Sequence, residues 1–207
     1  MSENLMKIWR RLWLELVIAF DFVRGFFEPF MAYRIGYLVI VKRRYRRPWT
    51  TTLKDGTTLR RGDKIIRLHM KLFMPRFRGA DNDLSYSRYL YRLLAPEMPN
   101  LAALLRVDPA WSDFKAIMGQ SHVVGKYTEK LGFETRAIPD WWIVVVDLLG
   151  RGAMLLTDPT PRCLLKILKP HGVRKPRETW IGCSTLVALH NDTQVEPPRL
   201  RRLFKYF

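Results

Sequence analysis

Between Lys64 and Leu72 apolar and cationic residues alternate almost one for one, with Ile66, Leu68, Met70 and Leu72 set against Arg67, His69 and Lys71. Successive side chains of a strand point to opposite faces. This period of two therefore predicts a half-buried strand with one face in a core and the other cationic. Turn chemistry brackets the segment: Asp55-Gly56, between Leu53 and Leu59, supplies the positive φ angles of a tight hairpin, and Gly62-Asp63 marks a second turn. Upstream, Tyr37-Leu-Val-Ile-Val41 reads as a short apolar strand that runs into Lys42, Arg43, Arg44, Arg46 and Arg47, five cations in six residues. If the two strands pair, Arg43 and its neighbours extend the cationic face of Arg67, His69 and Lys71 into a ladder.

The rest of the chain mixes both periods. Residues 3–28 read as one long amphipathic helix, with Leu5, Trp9, Leu12, Leu16, Phe20, Val23 and Phe27 on one side and Pro29 at its end. Its wide apolar face carries Trp9, Trp13, Phe20, Phe26 and Phe27, which suit either packing on the domain or lying in a membrane interface. Helical spacing recurs at 84–95. Pro96 and Pro99 interrupt it, and Asn100 caps a short helix to about Val107. A strand is expected at 114–118, a helix over 121–131 capped by Ser121 and closed by Gly132, a strand at 133–138 and a helix over 139–156 with Asp147 and Arg151 as an i, i+4 pair. After a proline-rich connection, a strand at 179–181 leads to a last helix capped by Ser184, and the tail 199–207 is basic.

The expectation is an α+β domain: a small antiparallel sheet with β-hairpins, packed by several helices and preceded by the long amphipathic helix. It divides into the helix at 1–32, the α+β domain at 33–193 and the basic tail at 194–207.

Charge narrows the partners. The 207 residues hold 36 Lys plus Arg against 19 Asp plus Glu, a formal charge of +17. Such an excess raises encounter rates with polyanions: an anionic lipid leaflet, an envelope polymer or nucleic acid. No stretch reaches the ~20 apolar residues of a membrane-spanning helix. The amino terminus lacks the pattern of a secretory signal, so the expected place is the cytoplasm.

The search for chemistry is mostly negative. There is no P-loop, no GxGxxG and no HExxH. Cys163 and Cys183 lack CxxC spacing, and His69, His122, His171 and His190 are scattered. No metal site or cofactor is expected, and a disulfide between the cysteines stays open. Gly119-Gln-Ser-His-Val123 lacks the closing glycine of a nucleophile elbow. His69, between Arg67 and Lys71, has the best claim of the histidines to an anionic ligand. The run Leu131-Gly132-Phe133 is similar to the last motif of GNAT-type acetyltransferases, without that family's pyrophosphate loop. Whether the chain is an enzyme stays open.

Asp55-Gly56-Thr-Thr-Leu59, Gly62-Asp63-Lys-Ile-Ile-Arg-Leu68-His69-Met70, Leu131-Gly132-Phe133-Glu134 and Pro176-Arg177-Glu-Thr-Trp180, in this order, resemble the YkoP-like domain family over residues 34–190. The resemblance implies a bacterial, envelope-related setting, since members stand alone or are attached to polysaccharide-deacetylase-like domains. It brings no catalytic residue with it. Where members often carry an asparagine soon after the Leu-His-Leu element, this chain has Lys71-Leu72-Phe73.

The reading that follows is an accessory binding domain, peripheral to the cytoplasmic face of a membrane, meeting anionic lipid or an envelope-glycan enzyme. Lys42, Arg43, Arg44, Arg46, Arg47, Arg67, His69 and Lys71 would supply the anion contact. Trp9, Trp13, Phe20, Phe26 and Phe27 would supply interfacial insertion or a protein contact. The alternatives are an acyl-transferring or glycan-modifying enzyme and a nucleic-acid-binding protein. Oligomeric state is left open.

Overall fold

The computed structural model describes residues 32–70, 83–121, 126–157, 168, 175–193 and 201–202. The amphipathic helix expected at 3–28, Lys71, His122, Cys163, His171 and most of the basic tail lie outside the described residues.

The domain is α+β. Strands β1 (Ala32–Ile35), β2 (Leu38–Arg44), β5 (Lys64–Met70), β6 (Ala116–Ser121), β7 (Glu134–Ala137), β8 (Arg177–Gly182) and β9 (Arg201–Arg202) form one seven-stranded sheet in the order β7-β8-β6-β5-β2-β1-β9. Strands β3 (Thr51–Thr52) and β4 (Thr58–Leu59) make a separate two-stranded hairpin. Helices α1 (Asp83–Leu94), α2 (Glu97–Val107), α3 (Lys126–Glu129), α4 (Asp140–Thr157) and α5 (Cys183–Leu189) complete the described elements, with a 3₁₀ turn at Pro109–Trp111.

The sheet is mixed, which corrects the expectation of an antiparallel one. β5 and β6 run parallel. Their connection passes through α1 and α2, and a crossover of that length is what parallel neighbours require. The other pairings in the sheet are antiparallel.

One face of the sheet carries the main core. Leu38 and Ile40 of β2, Ile66 of β5, Ile117 of β6 and Ile181 of β8 pack with Met98, Leu101, Leu104 and Leu105 of α2, Leu186 of α5, Trp111 and Phe114. In α2, Met98, Leu101, Ala102 and Leu105 repeat at helical spacing and are all buried. Pro99 does not interrupt this helix but sits in its first turn, where the backbone N–H it lacks would have no helical partner. Asn100 is thus inside the helix, its amide bonded to Glu97 at 3.1 Å.

The chain from Ala32 to Arg44 forms a hairpin that turns at Gly36, where φ is +51°. A side chain at Gly36 would strike the carboxylate of Glu97, so the first turn of α2 is seated directly on this turn.

A second, smaller core lies on the opposite face, where Tyr45, Leu53, Leu59, Ile65, Ala116, Met118 and Trp180 cluster. It forms because the β3–β4 hairpin folds over that face. The alternation in β5 thus has an unexpected member: Ile65, on the cationic side, is only 4% exposed.

Candidate functional site

Side chains paired across neighbouring strands share a face. Val39 pairs with His69, Val41 with Arg67 and Arg43 with Ile65, so Arg43, Arg67 and His69 lie on the same side of β2 and β5. Arg67 pairs with Met118, Gln120 with Glu178, and Glu178 with Arg136, which carries this face across β6, β8 and β7. Arg43, Arg67 and His69 are all half-buried rather than fully exposed.

A chain of polar contacts runs along the face. The Arg67 guanidinium donates to Gln120 Oε1 at 3.0 Å, and Gln120 Nε2 donates to Glu178 Oε1 at 2.9 Å. Arg47 forms an ion pair with the same Glu178 oxygen, and Trp180 Nε1 donates to the other at 3.1 Å. The Glu178 side chain has no exposure at all. Water being excluded, the carboxylate depends on these donors, and they in turn hold Arg47 and Arg67 in place.

The segment following β2 crosses this face. The Arg47 guanidinium lies 5.8 Å from the Trp180 ring centroid and 5.9 Å from that of Trp49. Arg136 donates to the Thr52 carbonyl and pairs with Glu134, and Glu134 also accepts from the Lys54 backbone N–H at 2.5 Å.

At the tip of the β3–β4 hairpin, Asp55 Oδ2 accepts from the Gly182 N–H at 2.8 Å and from the Thr185 hydroxyl at 2.7 Å. The hairpin loop closes through a Leu53 N–H bond to the Thr57 carbonyl at 2.8 Å, with Gly56 at φ +84°. Gly182, not the expected Ser184, is the N-cap of α5, which has no side-chain cap, and Asp55 ties the hairpin to this helix start through Gly182 and Thr185. Ser121, likewise expected as a cap, is the last residue of β6.

Partial burial works to raise the Asp55 pKa, but hydrogen bonds from Thr185, Thr57 and Gly182 outweigh it and hold the carboxyl below its ordinary value. A depressed carboxylate stabilises the fold above its unfolded-state pKa, and that contribution disappears as pH falls through the folded value. The melting temperature of the protein should therefore exceed that of Asp55→Asn at about pH 6, with the gap closing below about pH 3.5. A gap that persists unchanged in acid would show that the charge of Asp55 is not what clamps the hairpin. Burial, aided by the charge of Asp55, pushes the Cys183 thiol up to about 12, so this cysteine stays protonated and unreactive near neutrality.

The run 42–47 does not act as one patch, because strand alternation sends its members to different sides. Lys42 points to the helix-covered face, where its ammonium sits 4.2 Å from the Trp111 ring centroid and donates to the Ala110 carbonyl at 2.9 Å. Arg44 donates to the Gly62 carbonyl at 2.9 Å. Arg43 joins Arg67 and His69, Arg46 is exposed, and Arg47 belongs to the Glu178 network. Sequence reasoning overlooked Gln120, Arg136 and Glu178 as site residues. The signal available for Glu178 was its two-residue spacing from Trp180 on one strand.

Among the described residues no three His, Cys, Asp or Glu side chains gather as a metal site, and no helix is long and apolar enough to cross a membrane. A family model described as the YkoP domain matches residues 8–187. Comparison with curated proteins and with solved structures gives no match.

Proposed function

Since the chain belongs to the YkoP domain family, whose match takes in strands β1 to β8 and the cationic face, we propose that it is a binding domain for an anionic surface, held at the cytoplasmic side of a membrane. The observation that carries this reading is the convergence of Arg43, Arg67 and His69 on one sheet face, with Arg67 fixed through Gln120 to the buried Glu178. Guanidinium groups positioned in advance lose less side-chain entropy when they take up a phosphate or carboxylate than freely moving ones.

The overall charge of +17 supplies long-range attraction, and the face supplies a defined contact. Each cation brought near an anionic leaflet contributes about 1 kcal/mol. The aromatic segment with Trp9, Trp13, Phe20, Phe26 and Phe27 would add apolar insertion or dock an envelope-glycan enzyme.

Sedimentation of the full chain with vesicles tests the proposal. Binding should require phosphatidylglycerol, be absent with phosphatidylcholine alone and weaken as salt shortens the reach of the charges to about 10 Å at 0.1 M. The double variant Arg43→Gln with Arg67→Gln should bind about 30-fold more weakly. Failure to bind anionic vesicles, together with oligonucleotide binding that falls steeply with salt, would replace this reading with a nucleic-acid one.

A further inference from the structure

Trp49 is 47% exposed, and among the described residues it is the one aromatic side chain standing among the large exposed apolar groups. Its position is not that of a loose loop tip. The guanidinium of Arg47, two residues earlier, lies 5.9 Å from the Trp49 ring centroid and 5.8 Å from that of the buried Trp180 and is tied to Glu178. The indole is thereby presented to solvent from a fixed base.

Exposed cations lie along the chain that leads to it. Hydrogen bonds of 2.8 Å from the Tyr45 N–H to the Asp63 carbonyl and from the Gly62 N–H to the Tyr45 carbonyl join this segment to the turn at 60–63. Arg44, Arg46, Arg60 and Arg61 are all exposed along the two joined segments. The nearby acid, Asp63, is engaged by Lys115 at 3.0 Å and by the Arg60 N–H at 2.7 Å. Arg60 and Arg61 formed no part of the cationic ladder seen in the sequence.

We infer that Trp49 is the interfacial anchor by which the domain seats on an anionic bilayer, with Arg46, Arg60 and Arg61 supplying contacts to the lipid phosphates. This rests on the reading above that the partner is an anionic surface. A tryptophan with its ring at the headgroup boundary and arginines at the phosphate level is the composition that membrane interfaces select. Binding single-stranded nucleic acid along its length would call for several stacking aromatics in succession, whereas an anchor needs one.

The test uses the full chain and phosphatidylglycerol-containing vesicles, with and without brominated acyl chains that quench tryptophan on contact. Trp49→Ala should bind about tenfold more weakly and lose part of the bromolipid quenching seen in the parent. Arg60→Gln with Arg61→Gln should weaken binding by about 30-fold at unchanged melting temperature. Binding and quenching that survive Trp49→Ala unchanged would overturn the inference while leaving the anionic-surface reading in place. Absence of vesicle binding by the parent chain would remove both. Weakened oligonucleotide binding by Trp49→Ala, with vesicle binding intact, would make Trp49 a base-stacking platform instead.

Discussion

Glu178→Ala is expected to lower the stability of the domain by about 3–5 kcal/mol, read as a fall in the urea midpoint at constant slope. The side chain is wholly buried and accepts from Trp180 Nε1, Gln120 Nε2 and Arg47. Alanine leaves the indole N–H and a half-buried guanidinium without their acceptor, and the loss of one partner from a buried charged network costs far more than the pair is worth. Typical domains hold about 5–15 kcal/mol in total, so the variant should give up a large share of its stability. Glu178→Gln keeps one oxygen for the indole and should cost less. Glu178→Leu combined with Arg47→Leu should recover part of the loss, since no charge is then stranded. A loss below about 1 kcal/mol for Glu178→Ala would mean that water reaches the carboxylate.

Trp111→Ala is expected to be comparably damaging, at about 3–5 kcal/mol, read as a lowered melting temperature. Trp111 is 1% exposed and forms an edge-to-face pair with Tyr33 at 5.3 Å, with Phe114 at 5.3 Å on a tilted ring. The 3₁₀ turn that carries it begins where the Asp108 side chain accepts from the Ala110 N–H, which fixes the ring against the main core. The Lys42 ammonium covers the same ring. A double-mutant cycle of Lys42→Met with Trp111→Phe should give a coupling of about 0.5–2 kcal/mol. A coupling near zero would return Lys42 to the role of a surface cation.

Local periodicity made much of the sheet legible. The Arg67 and His69 alternation correctly places both on one face, and the pairing of β2 with β5 puts Arg43 beside them. The helix at 139–156 lies within a residue of α4, and its expected Asp147 and Arg151 contact is present at 2.7 Å. These features depend on neighbours a few residues apart, and a period of two or 3.6 reports them directly.

The candidate site was legible only in part. Arg47 and Glu178 are 131 residues apart, and Gln120 and Glu178 are 58 apart, so no spacing rule joins them. Asp55 was read as a turn residue, which it is, but its carboxylate also serves the start of α5. The same blindness applied to Ser184, a sound cap by composition, which lies inside α5 because the helix starts after Gly182.

By itself the sequence determined the α+β class, the strand that carries Arg67 and His69, and the strong positive charge. These follow from side-chain direction and from counting. Tertiary structure alone decided that the sheet is mixed, that Lys42 serves the aromatic core, and that the β3–β4 hairpin buries one end of the cationic face. It also decided that Trp49 stays outside while Trp180 goes in. Burial and long-range pairing belong to the packed chain as a whole, and identical residue types take opposite roles according to which surface covers them.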